Sequence, residues 1–303
     1  MLFVEQVLNG VQLGVTLFLL ASGLTLIFGI MGVINLAHGS LYMVGAYAAA
    51  YTAALTGSAV VALLAGLAAA GLVGMAVEYV AVRRLYARDH LDQVLCTFGL
   101  ILFFNQMAII LFGRQPLFVQ MPPALSGAVT LGPDLRFPVY RLAIIAVGLL
   151  VAIGLSLLVS RTRLGMLIRA GATHRDMVRA LGVDIRLLYT GVFGLGALLA
   201  GLAGVMAGPL LAVQVGMGEQ ILIMTFVVVV VGGIGSIRGA FLGALLVGLV
   251  DTLLRAFLPG ALRGVLVGPE ADAFGAGLSS MGIYLLMAIV LIVRPRGLFP
   301  AHG

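Results

Sequence analysis

From Val7 to Gly29 the chain carries no charged side chain, and the same holds over 39–56, 93–112, 187–211 and 278–293. A hydrocarbon core of ~30 Å takes about 20 such residues as a helix. In lipid the backbone must satisfy its own hydrogen bonds, which leaves helices and closed barrels as the spanning structures. These runs are too long and too uniformly apolar for the alternating strands of a barrel, about ten residues each. The chain is therefore predicted to be all-α, a polytopic transmembrane helical bundle. Its composition agrees: of 303 residues, 62% are hydrophobic and 9% charged, against about 25% charged in a soluble domain. The mean hydropathy is +1.21.

Spans are predicted at about 7–29, 39–56, 59–82, 93–112, 141–160, 187–211, 219–234, 239–258 and 278–293, a count of eight to ten once broken helices are allowed for. Arginine placement sets the orientation, because short cytoplasmic loops collect positive charge. Arg83, Arg84 and Arg88 mark one such loop; Arg161, Arg163, Arg169, Arg175, Arg179 and Arg186 mark another; Arg294 and Arg296 put the C-terminus on the same side. Counting back three spans places the N-terminus outside. One transmembrane domain over 1–303 is expected, with a cytoplasmic loop at 161–186 and external loops at 113–140 and 259–277. No Lys or Arg occurs in the first 82 residues, so the N-terminus lacks the basic region of a cleavable signal and the first span is expected to remain.

All 17 basic residues are arginine. Without lysine the chain cannot form a GxxxxGK[ST] phosphate-binding loop or a Schiff base, so it is not by itself a P-loop ATPase. The single Cys96 rules out an internal disulfide. His38, His90, His174 and His302 share no metal-ligand spacing. No HExxH, GxSxG or paired catalytic acids are present, so no catalytic residue is assigned.

Two stretches break the apolar pattern. The first, GIMGVINLAHGSLYMVG over 29–45, sets Asn35, His38 and Ser40 among glycines between two spans. Lipid-exposed, such a break would cost several kcal/mol. A weak echo, RGAFLGA at 238–244, also follows a glycine-rich interruption, as repeats in transporters do. The second is the cytoplasmic loop RTRLGMLIRAGATHRDMVRALGVDIRLLYTG over 161–191. Thr173 and Asp176 resemble a capping box and Gly182 is placed to end the helix, which predicts about two turns over 173–182. Met177, Ala180 and Leu181 form an apolar stripe there, with Arg175 and Arg179 on another face. So short a helix is marginal alone and calls for a docking partner.

Taken with VVVVVGGIGSIRGAFLGALLVG at 227–248 and RPRGLF at 294–299, these stretches resemble the permease subunits of branched-chain amino-acid ABC importers, in particular the shorter H-type. The N-L-A-H-G run on Asn35 to Gly39 is the most specific feature. The resemblance implies a bacterial inner-membrane subunit of the ABC-importer permease fold. Its partners would be a paralogous M-type permease, two cytoplasmic ATPases that hold ATP and magnesium, an external substrate-binding protein and membrane lipid, with no nucleic acid. No cofactor is implied on this chain. The resemblance also assigns ATPase coupling to Thr173, Arg175, Asp176, Met177, Arg179, Ala180, Leu181 and Gly182. Relatives of the same broad family carry urea and short amides, which is the alternative substrate class.

Within that frame Asn35, His38, Gly39 and Ser40 read either as a polar knot that fixes helix packing or as a gate lining the pathway. Asn105 and Gln106 in the fourth span, and Gln214 and Glu219 near the outer mouth, are candidates for polar relief of a zwitterionic amino acid. An ion-coupled secondary transporter is the rival from another class and would need a free carboxylate in the membrane. Asp251 is the best placed, but Arg255 at i+4 reads as its structural partner. Glu78 is expected to snorkel from the cytoplasmic end of its span.

Overall fold

A computed structural model describes residues 2–132, 135–173, 175–264 and 268–299. His174 and His302 lie outside the described residues, as do the side chains of Arg175 and Asp176. In order, the helices are α1 (Leu2–Met31), α2 (His38–Thr56), α3 (Ala59–Val80), α4 (His90–Phe112), α5 (Val139–Arg161), α6 (Arg163–Thr173), α7 (Arg175–Ala180), α8 (Ile185–Ala207), α9 (Met217–Gly232), α10 (Ile237–Leu262) and α11 (Gly268–Val293). Among the described residues seven of them, α1, α3, α4, α5, α8, α10 and α11, are long and apolar enough to cross a membrane. Each of the nine expected spans corresponds to one helix, α2 and α9 being the two outside that set. The seventh, α9, stops after 16 residues, where Gly233 and Gly235 turn at φ +105° and +81°.

Three segments differ from expectation. The stretch 113–140, read as a plain loop, holds an antiparallel hairpin, β1 (Ala128–Gly132) with β2 (Leu135–Pro138). The alternation of Val129, Leu135 and Phe137 was masked by the prolines around it. The stretch 259–277, read as a connector, is largely helical: α10 continues through Pro259 to Leu262 and α11 begins at Gly268. In the arginine-rich loop an unexpected helix, α6, precedes α7.

The chain divides into two compact units that interleave in sequence. One comprises 1–18, 122–150 and 224–303. In it α10 packs along α11, and Gly10 and Gly14 of α1 lie against the backbone of Ala244, Gly248 and Leu249 in α10. Phe18 meets Phe241 edge-on at 5.1 Å. The C-terminal RPRGLF segment is tied in by backbone bonds from Leu298 and Phe299 to the carbonyls of Val231 and Gly232, both 2.9 Å.

The other unit comprises 19–121 and 151–223. Its centre is the mutual packing of α2, α3 and α8. Small residues line those contacts: Gly45 on Gly201, Gly66 on Gly45, Gly204 on Tyr42, and Gly74 on Ala197. Lipid gives apolar side chains no incentive to leave it, so helices associate where small residues let their backbones meet and dispersion contacts accumulate. The exposed apolar side chains are on the outer faces of α3 and α4, such as Leu64, Leu72, Leu95, Phe98 and Leu102.

Candidate functional site

The break between α1 and α2 is the first polar locus. Helix α1 ends at Met31, Gly32 turns at φ +66°, and α2 resumes at His38. Asn35 and His38 are completely buried and Ser40 nearly so. The freed backbone is held by a residue that the sequence reading did not single out. Gln93 of α4 accepts from the Ile34 N–H at 3.1 Å, while its own amide donates to the Leu85 and Arg88 carbonyls at 3.3 and 3.2 Å. The His38 Nε2 lies 3.2 Å from the Leu20 carbonyl, which ties α2 back across the break to α1. The Asn35 amide and His38 Nδ1 have no hydrogen-bond partner among the described residues. Gly39 approaches Gly218 of α9 so closely that a Cβ on either would overlap the other's backbone.

At the C-terminal end of α3 stands a second polar locus. Glu78 does not snorkel: its side chain is fully buried. Arg83 grips both its oxygens at 3.1 and 3.2 Å, Tyr86 donates to Oε1 at 2.5 Å, and Thr190 of α8 donates to Oε2 at 2.7 Å. Arg83 also donates to Thr190 and lies over the Tyr79 ring at 4.7 Å. Burial, and then the hydrogen bond to Glu78, push the Tyr86 phenol well above its usual range, so it stays a donor at physiological pH. The hydrogen bond to Glu78 is also the leading cause holding Arg83 above the ordinary arginine range. A buried carboxylate is tolerated when its lone pairs are matched this fully.

The third locus joins α4 to α9. The Asn105 side-chain amide donates to Glu219 Oε1 in a short contact. Asn105 Oδ1 and Glu219 Oε2 are occluded and without a partner among the described residues. Gln106 points outward and is exposed. Gln214 follows Val213, whose backbone pairs with Leu117 at 2.9 Å in both directions. Asp251 and Arg255 form the expected pair, with both oxygens 2.9 Å from Nε.

The fourth locus is the arginine-rich segment between α5 and α8. Helix α7 ends as expected at Gly182, φ +83°, in a Schellman motif: the Gly182 N–H bonds the Arg179 carbonyl at 3.1 Å and the Val183 N–H bonds that of Val178 at 3.4 Å. Thr173 ends α6, its hydroxyl donating back to the Arg169 carbonyl at 2.9 Å, and α7 begins at Arg175; the Asp176 side chain of the expected capping box lies outside the described residues. Asp184 caps α8, accepting from the Arg186 and Leu187 N–H groups. Met177 and Leu181 are 63% and 77% exposed, and Ala180 and Arg179 are also exposed, while Val178 is buried. Beside them α6 turns Leu164, Leu167 and Ile168 over an apolar groove of about 800 Å³, bounded also by Leu72, Met75 and Leu187.

Residues 6–292 match the family described as the permease component of branched-chain amino acid transport systems. The chain belongs to that family. The permease is 33% identical to the high-affinity branched-chain amino acid transport system permease protein BraD of Pseudomonas aeruginosa, over 98% of this chain and 95% of that one. It is 29% identical to LivH of Escherichia coli at the same coverage. A probable branched-chain amino acid transport permease protein LivH of Methanocaldococcus jannaschii is 27% identical over 93% of this chain and 88% of its own. No solved structure matches the chain. Family and apolar helices together make this a multi-pass membrane protein.

Several residues that organise these loci were not picked out in the sequence. Gln93, Tyr86 and Thr190 are single polar residues on otherwise ordinary faces; the partners of Gln93 and Thr190 lie far along the chain, and that of Tyr86 lies eight residues back in α3. For Gln93 the available clue was an amide at the head of a span in a chain with so few polar residues.

Proposed function

We propose that this permease is the H-type membrane subunit of an ATP-driven importer of branched-chain amino acids. It forms the translocation path with a longer paralogous permease. An external binding protein delivers the amino acid, and two cytoplasmic ATPases, which carry the ATP and magnesium, supply the energy. The subunit resides in the bacterial inner membrane with its C-terminus in the cytoplasm and its N-terminus outside.

The observation that carries this reading is the state of α7. A six-residue helix closed by a Schellman turn holds Met177 and Leu181 out to solvent on the arginine-rich side of the protein. An apolar face on so short a helix has no reason to persist unless it docks. Thr173 to Gly182 act as the coupling segment. The family match and the names of the relatives support the substrate class.

Asn35, His38, Gly39 and Ser40 support a gate at the α1–α2 break, where Gly39 meets Gly218. Asn105, Gln106, Gln214 and Glu219 flank the outer part of the path. The pairing of Asp251 with Arg255 leaves the ion-coupled alternative without its best carboxylate.

Uptake of radiolabelled leucine and of urea by the complete assembly in proteoliposomes tests the substrate class. Leucine accumulation without urea accumulation is expected; the reverse would assign the chain to the urea and amide branch.

A further inference from the structure

Three carboxylates of the membrane helices, Glu78, Asp251 and Glu219, are buried or half-buried, and they are treated differently. Glu78 is matched by Arg83, Tyr86 and Thr190, and Asp251 by Arg255. Among the described residues Glu219 has one donor, the Asn105 amide, and its Oε2 is occluded with none donating to it. The salt bridges among them are Glu78–Arg83, Asp251–Arg255 and Asp272–Arg263, none of which includes Glu219. The other end of the same pair is also incomplete: no described residue donates to Asn105 Oδ1.

The two unmatched atoms are both acceptors. Glu219 lies in the first turn of α9. A charge kept there without a counter-ion is unfavourable, and what relieves it is a group carrying positive charge and several N–H donors. Beside Oε2 is Gly216, where an added Cβ would lie 3.7 Å from Oε2, in ordinary contact. A carboxylate or a urea carbonyl finds nothing to donate to it at this pair, since the Asn105 amide is already engaged. We infer that Asn105 Oδ1 and Glu219 Oε2 are the acceptors for the α-ammonium group of the amino acid as it passes between α4 and α9, reached by a rotation of the Glu219 side chain. The inference rests on the amino-acid importer reading and narrows it, because it assigns this locus to the ammonium end of the zwitterion.

The test uses the complete importer in proteoliposomes, with leucine-loaded binding protein and ATP, and reads leucine moved per ATP hydrolysed. Glu219→Gln removes the charge with little change of shape, and Asn105→Leu removes the amide. Asn105→Gln keeps an amide oxygen, and guards against a variant that merely misfolds. Glu219→Gln and Asn105→Leu are expected to lower leucine per ATP about tenfold, as loss of a charge-assisted contact does, with Asn105→Gln recovering most of it. Wild-type ratios in both Glu219→Gln and Asn105→Leu would overturn the inference while leaving the importer reading standing. So would equal losses in Asn105→Leu and Asn105→Gln. Uptake by the wild type that collapses when choline replaces sodium would give the acceptors to a metal cation and overturn it as well. Failure of the wild type to move leucine at all would instead remove the reading on which the inference rests.

Discussion

Glu78 shows how one residue can organise the junction of α3, α4 and α8. Its carboxylate collects donors from the α3–α4 connection and from α8, 112 residues away. Replacing one partner of a buried pair leaves the remainder uncompensated, at a cost of about 3–5 kcal/mol. Glu78→Ala should therefore lower the thermal midpoint of the detergent-solubilised assembly sharply, whereas Tyr86→Phe, which removes a single bond to a charged group, should cost about 1.5–3 kcal/mol. Equal midpoints for Glu78→Ala and wild type would mean that the cluster contributes no stability. The sequence made Glu78 look like an end-of-span residue reaching for water, because local spacing shows Arg83 but not Thr190. His38 and Asn35 were legible as unusual for the opposite reason: polar residues between two uncharged runs are conspicuous wherever they point. What they bond was not legible: His38 meets the Leu20 carbonyl of α1, while Gln93 of α4 holds the freed Ile34 N–H.

At the scale of elements, α7 was the most readable part of the arginine-rich loop and α6 the least. Gly182 and the spacing of Met177, Ala180 and Leu181 announce a short helix with a sharp stop, and both are present. Thr173, read as the head of that helix, is the last residue of the preceding one. Helix α6 carries a usable stripe at Leu164, Leu167, Ile168 and Gly171, but two glycines and two arginines in eleven residues hid it. If α7 docks through its apolar face, Met177→Asp or Leu181→Asp will depress leucine uptake about tenfold while membrane insertion is unchanged. Normal uptake in both variants would remove the coupling role. Gly182→Val, by contrast, forces a β-branched residue into the left-handed region, at about 1–2 kcal/mol or more. It should loosen the end of α7, detected as faster proteolysis within the loop. Gly39→Leu acts at a different junction, where the α2 and α9 backbones touch. Overlap there leaves no room for repacking, so a strong loss of folded protein on size-exclusion chromatography is expected.

For the molecule as a whole, the number and positions of the apolar helices followed from uncharged runs about as long as a bilayer is thick. The physics of lipid leaves a hydrophobic sequence few other choices. The two interleaved units did not follow, because they depend on which glycine of one helix meets which small residue of another, and 42 glycines offer many pairings. The central claim is that this chain provides a path and borrows its energy: it has no lysine for a nucleotide loop, and Asp251 is already paired. The most direct measurement is leucine uptake into vesicles holding this chain alone and, in parallel, the full assembly, each with ATP, without ATP and under an imposed proton or sodium gradient. Accumulation by the full assembly with ATP, and by nothing else, is the predicted result. Gradient-driven accumulation by the chain alone would contradict it and make the protein a secondary transporter.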